Sequence, residues 1–109
     1  MENRDRQVLI KILNETDVIT DILKGVSFEV FIVDEKTKRA TCMTLINIGE
    51  LVKNLSENFK QANIEIPWRA ISGLRDVTAH RYQSLLMEDI WMTVQTDIPI
   101  LRRQISSLL

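Results

Sequence analysis

The chain has 109 residues, which suits one domain and leaves no room for two. It is 45% hydrophobic and 27% charged, and its 3 Gly and 2 Pro are too few for the many turns of an all-β fold. A formal net charge of −1 argues against a general nucleic-acid coater, whose affinity rests on a basic surplus, so any such contact must come from a local patch.

The first element expected is a helix from about Arg4 to Lys24. Val8, Leu9, Ile12, Leu13, Ile19, Ile22 and Leu23 recur there at three- and four-residue steps. Gly25 is its stop. Ser27 can cap a short helix over Phe28–Val33, because this apolar, β-branched run has no second strand to pair with. Asp34 opens a long helix reaching about Leu55. Cys42, Leu45, Ile46, Gly49 and Val52 define one face of it, and Ile48, Leu51 and Leu55 widen that face past half the circumference. Such a helix needs neighbours on two sides.

Ser56 to Pro67 has no sustained period and reads as a connector carrying one helical turn. Pro67 can occupy the first position of the next helix, in which Trp68, Ile71, Leu74 and Thr78 follow at helical spacing. The last helix runs from about Met87 to Leu108 on Met87, Ile90, Val94, Ile98, Leu101, Ile105 and Leu108. Pro99 lies inside it and predicts a kink, since it removes a backbone donor. The expected architecture is therefore all-α: an antiparallel bundle of four main helices plus a short one, one domain over residues 1–109.

Cys42 is the single cysteine, which leaves no internal disulfide and no cysteine-rich zinc site. The lone histidine and scattered carboxylates lack metal-ligand spacing, so neither metal nor cofactor is expected. No apolar run approaches the ~20 residues of a membrane span, and the N-terminal segment lacks the h-region of a signal peptide. A cytoplasmic protein away from membranes is the expectation. Trp68 and Trp91 sit on apolar stripes and read as core anchors, Cys42 as a small core residue. Lys36, Lys38 and Arg39 read as a solvated first turn, with the lengthening of an RNA groove as the alternative.

The chemically loaded segment is Arg75-Asp76-Val77-Thr78-Ala79-His80-Arg81-Tyr82. His80 is the one side chain able to accept and donate a proton near neutrality. Arg69, Arg75 and Arg81 outweigh Asp76 between residues 67 and 82, and guanidinium forks match phosphate oxygens. On a continuous helix Arg75 and His80 stand about 140° apart. For both to reach one phosphate, the helix must end near Ala79 or two copies must face each other about a two-fold axis. Such a pair could activate an RNA 2′-hydroxyl through His80 and stabilise the charge building on the phosphoryl oxygens through Arg75, without a metal.

Arg75-x4-His80-x-Tyr82 resembles the R-x4-H-x-Y signature of HEPN-domain toxins, in particular the HepT-like ribonucleases of prokaryotic toxin–antitoxin pairs. Ile66-Pro67-Trp68-Arg69-Ala70-Ile71-Ser72-Gly73-Leu74-Arg75 is similar to the segment leading into that motif. Leu45 to Glu50 followed by Asn54-Leu55-Ser56 resembles the family's central helix, and Met87 to Trp91 through Asp97-Ile98-Pro99 resembles its final one. The resemblance implies a helical homodimer whose two motif segments meet in a cleft, with Arg75 and His80 as the catalytic pair. It implies metal-independent RNA cleavage leaving a cyclic phosphate. It also implies a minimal nucleotidyltransferase antitoxin as partner, which attaches AMP to Tyr82.

Two positions depart from the family pattern. Asp76 stands where Asn is usual, and a carboxylate there would repel RNA phosphate and favour protonated His80. Arg81 stands where Gly is frequent and offers a phosphate contact in return. With Arg69, these two are the expected supporting or RNA-contacting residues. The alternative is a non-catalytic HEPN module that binds, or is modified by, a nucleotidyltransferase; a third reading is a purely structural helical dimer.

Overall fold

Helix α1 of the computed structural model spans Asn3–Leu23, and its apolar stripe buries Val8, Leu9, Ile12, Ile19 and Leu23. The described residues are 1–82 and 85–109, with the side chains of residues 77–81 outside that set. Gly25 adopts φ 73, the left-handed conformation that ends a helix cheaply only in glycine, and it follows Lys24, the C-cap of α1. Three polar residues then start the next three helices. Ser27 accepts from the Val30 N–H at the head of α2 (Phe28–Val33), and Asp34 accepts from the Thr37 N–H at the head of α3 (Glu35–Lys53). Ser56 accepts from the Phe59 N–H at the head of α4 (Glu57–Ala62), a short helix where the sequence predicts a connector.

Helix α5 spans Trp68–Arg81, with Pro67 as its cap residue rather than its first helical one. The final stretch is α6 (Met87–Met92), a π-helical turn (Thr93–Asp97) and α7 (Ile98–Leu108) in continuous succession. The disruption expected at Pro99 takes the form of this turn just upstream. A proline ring crowds the carbonyl four residues before it, and wider i→i+5 winding at that point relieves the conflict. Among the described residues there is no strand, and no helix is long and apolar enough to cross a membrane.

Helix α3 has the two neighbours that its wide apolar arc requires, α1 on one side and α5 on the other. Its register against α1 is antiparallel: Asp5 meets Ser56 just beyond the end of α3, while Glu15 accepts from Asn47 at 2.9 Å. Thr16, Thr41 and Thr44 are buried, and each hydroxyl donates to a carbonyl of its own helix at 2.6–2.8 Å, so no polar atom is stranded. Buried Asp5 accepts from the Ser56 N–H at 2.8 Å and Ser56 Oγ at 2.7 Å, fastening the start of α1 to the cap of α4.

Phe31, Leu45, Ile48, Val52 and Ile105 are fully buried at the centre of the core. Both tryptophans anchor it: the Trp68 indole N–H donates to the Asn63 carbonyl at 3.0 Å, and Trp91 packs against Phe28 and Phe31. Burial pushes the Cys42 thiol up to about 11, so it behaves as an inert core residue.

The approach of α3 to α5 depends on Gly49. A Cβ there would lie 2.7 Å from the Arg75 backbone nitrogen and 2.8 Å from Arg75 Cβ, closer than atoms can pack. Alanine would gain about 1 kcal/mol in helix propensity, but overpacking against backbone costs about 1–3 kcal/mol. Gly49→Ala is therefore expected to lower stability in urea denaturation. Gly73→Ala, where a Cβ meets nothing within 4 Å, is expected to leave stability unchanged or raise it by up to about 1 kcal/mol.

Candidate active site

Arg75 leaves α5 beside Gly49, in the seam where α5 packs antiparallel on α3. Its Nε pairs with Glu50 Oε1 of α3, and its Nη1 donates to Asp76 Oδ1 at 3.0 Å. Asp76 also receives Lys53 Nζ at 3.4 Å. Two carboxylates and two cations thus form one chain of charge across the seam. The hydrogen bond to Asp76, followed by the nearby Glu50 charge, raises the already high Arg75 pKa, so the guanidinium is permanently charged. Arg75, with Lys53 second, holds the Asp76 carboxyl below its ordinary value. Asp76 is therefore a neutralised anion and not the bare repulsive one that its place in the sequence suggests. The four charges cancel, so the formal positive surplus of the segment rests on Arg69 and Arg81.

Seven residues further on, Tyr82 makes a second link to α3, near the other end of that helix. Its hydroxyl donates to Glu35 Oε1 at 3.0 Å. Arg39 Nε reaches the same oxygen at 3.0 Å, Lys38 Nζ reaches Oε2 at 3.1 Å, and the Arg39 guanidinium stacks over the tyrosine ring at 5.0 Å. Burial first, then the Glu35 hydrogen bond and charge, push the Tyr82 phenol above its ordinary value. The Lys38 and Tyr82 hydrogen bonds hold Glu35 low. The pair is a neutral donor facing an ionised acceptor.

Helix α5 does not end near Ala79 but continues to Arg81, so the helical separation of about 140° between positions 75 and 80 applies. The side chains of His80 and Arg81 lie outside the described residues. Arg69 is exposed six residues before Arg75, about 9 Å along the axis, and the structure does not bring it to the Arg75 cluster. Among the described residues, no three His, Cys, Asp or Glu side chains converge on a point where a metal ion could sit.

The helical scaffold agrees with what the chain is similar to. A family model described as "Ribonuclease HepT-like" matches residues 12–108. The chain belongs to the HepT-like ribonuclease family. A relative named "Putative RNase" in Caldanaerobacter subterraneus subsp. tengcongensis is 38% identical over 104 residues, covering 95% of this chain and 93% of the relative. One named "Probable ribonuclease HepT" in Thermococcus cleftensis is 33% identical over 108 residues, covering 99% of this chain and 98% of its own. A Methanocaldococcus jannaschii protein named as the first of these is 36% identical over 94 residues, covering 86% and 78% of the two chains. No solved structure matches the chain significantly. The all-α, HEPN-like fold expected of a HepT-like protein is the fold observed.

Glu50, Lys53 and Glu35 are parts of the site that the sequence does not mark, while Lys38 and Arg39 read there as a solvated turn or an extension of an RNA groove. The available signal was weak. Glu35 and Arg39 are a helical i, i+4 pair, but their relation to Tyr82 appears only when α3 and α5 are placed antiparallel. Tyr82 is the single tyrosine, so its ionisation can be followed by ultraviolet absorbance. It is expected to titrate above the ~10 of a free phenol. Glu35→Gln should bring it part of the way back, since burial remains. Because the folded value is raised, the stability that the neutral phenol contributes is present below pH ~10 and lost as pH rises through the folded value. Titration at or below the ordinary value would contradict the observed contact.

Proposed function

We propose that this HepT-like chain is a metal-independent endoribonuclease toxin acting as a homodimer. The observation that carries the reading is the family match, which runs through Arg75, His80 and Tyr82. His80 takes the proton from an RNA 2′-hydroxyl, and the freed oxygen attacks the adjacent phosphorus while the bond to the 5′-oxygen breaks. The charge building on the non-bridging oxygens is stabilised by the Arg75 guanidinium. The product carries a 2′,3′-cyclic phosphate. Arg69 and Arg81 supply phosphate contacts outside the reacting centre.

Two features support a cleft shared by two copies. The continuous α5 keeps positions 75 and 80 apart within one protomer, so the pair is best completed across a two-fold axis. Beside α5, facing away from the Gly49 seam, lies an open and mostly apolar furrow bordered by Ala70, Gly73, Leu74, Leu85, Leu86 and Ile90. Position 80 follows position 73 by seven residues and so returns to within about 20° of that side. A second copy laid along the furrow would cover exposed apolar surface.

In this reading the partner is a minimal nucleotidyltransferase antitoxin that transfers AMP to Tyr82 Oη. The added phosphate excludes RNA by bulk and like charge. The charge balance of the Glu50–Arg75–Asp76–Lys53 chain favours a second reading, a non-catalytic module that the transferase binds and modifies. Purified protein is expected to cut RNA and leave cyclic phosphate ends. His80→Ala and Arg75→Ala are each expected to slow cleavage by at least about 100-fold. Undiminished cutting in both variants would overturn the catalytic assignment, and Tyr82 modification without cleavage under any condition would favour the second reading.

A further inference from the structure

Tyr82 is held by a denser set of charges than a half-buried tyrosine requires. One water-satisfied hydroxyl would leave no polar atom stranded, yet three donors converge on the carboxylate that accepts its proton. Glu35 Oε1 takes Tyr82 Oη and Arg39 Nε, each at 3.0 Å, and Oε2 takes Lys38 Nζ at 3.1 Å. Isolated exposed pairs of this kind contribute little to stability, so stability is a poor reason for the arrangement. Lysine ammonium groups ordinarily extend into water, but the Lys38 side chain is only 18% exposed. The Arg39 guanidinium carbon stands over the phenol ring, 5.0 Å from its centre.

With the phenol neutral, Glu35, Lys38 and Arg39 sum to one surplus positive charge, gathered at the carboxylate that the hydroxyl faces. These residues also occupy the first turns of α3, a 19-residue helix whose aligned peptide dipoles add positive potential at that end. A phosphoryl group on Oη would remove the proton that Glu35 accepts and set an anion against its carboxylate. The two cations already bound to Glu35 are the groups able to stand between them.

We propose that Lys38 and Arg39 form a receiving site for a phosphoryl group carried on Tyr82 Oη, turning from Glu35 to the phosphoryl oxygens when the hydroxyl is esterified. The proposal rests on the reading of Tyr82 as an acceptor, and it adds the residues that hold the modified state. Arg39 offers a planar fork to two oxygens and Lys38 a point charge to one. A phosphodiester brings the cluster from a charge of about +1 to zero, so the modified segment remains docked on α3.

The test needs no transferase. Phosphotyrosine is incorporated at position 82 of the full chain, and its second ionisation is followed by phosphorus NMR. An unperturbed phosphotyrosine titrates near ~6. In this chain the value is expected to fall by about half to one unit, because the dianion gains two cations. Lys38→Gln and Arg39→Gln are each expected to move it back towards ~6, Lys36→Gln to leave it unchanged, and Glu35→Gln to lower it further. A value at or above ~6, or a lowered value insensitive to both Lys38→Gln and Arg39→Gln, overturns the receiving site. The acceptor reading fails separately, when a co-produced nucleotidyltransferase adds no nucleotide mass to Tyr82 in a chain whose phosphotyrosine titrates as expected.

Discussion

The absence of a side chain at Gly49 lets α3 and α5 touch backbone to backbone, and the rest of the site depends on that contact. With the Arg75 nitrogen 2.7 Å from where a Cβ would stand, no side chain fits between the two backbones at that point. Glu50 and Lys53, one and four residues further along α3, then reach Arg75 and Asp76. The same antiparallel register brings Glu35 and Arg39, at the far end of α3, to Tyr82. The motif segment is thereby pinned at both ends to one rigid helix, an arrangement suited to a site whose reacting groups must be held within fractions of an ångström.

Electrostatics at the two ends differ in kind. At Arg75 each cation is matched by a carboxylate, so the guanidinium is oriented but its field is balanced locally. At Tyr82 two cations share one carboxylate, and a positive surplus remains beside a hydroxyl. A chain with an overall charge of −1 can thus present a basic spot without being basic. For RNA chemistry, the balanced end suits a group that must be aimed more than one that must attract substrate from a distance.

Most of the fold was legible because its determinants are local. The 3.6-residue stripes of α1 and α3, the caps Ser27 and Asp34, and the glycine stop at Gly25 each act within one or two turns. The breadth of the α3 apolar arc even foretold its two neighbours. Helix α4 reads only as a helical turn in a connector because its six residues offer too short a window for periodicity, and the π-helical turn is not legible because Pro99 signals a conflict but not how the backbone resolves it. Arg75 and Tyr82 could be singled out by residue type, whereas Glu50, Lys53 and Glu35 owe their roles to partners 23 to 47 positions away. Such partners follow from helix register, which no local pattern encodes.

Since α5 is unbroken from Trp68 to Arg81, positions 75 and 80 stand about 140° apart on one copy, and the composite site proposed above is the central claim of this account. Mixing subunits tests it most directly. Arg75→Ala and His80→Ala chains, each inactive alone, are unfolded together and refolded so that mixed dimers form. Each mixed dimer would hold one site with both groups intact, and the mixture should recover about a quarter of wild-type RNA cleavage. A mixture that contains mixed dimers yet stays as inactive as either parent would contradict the claim.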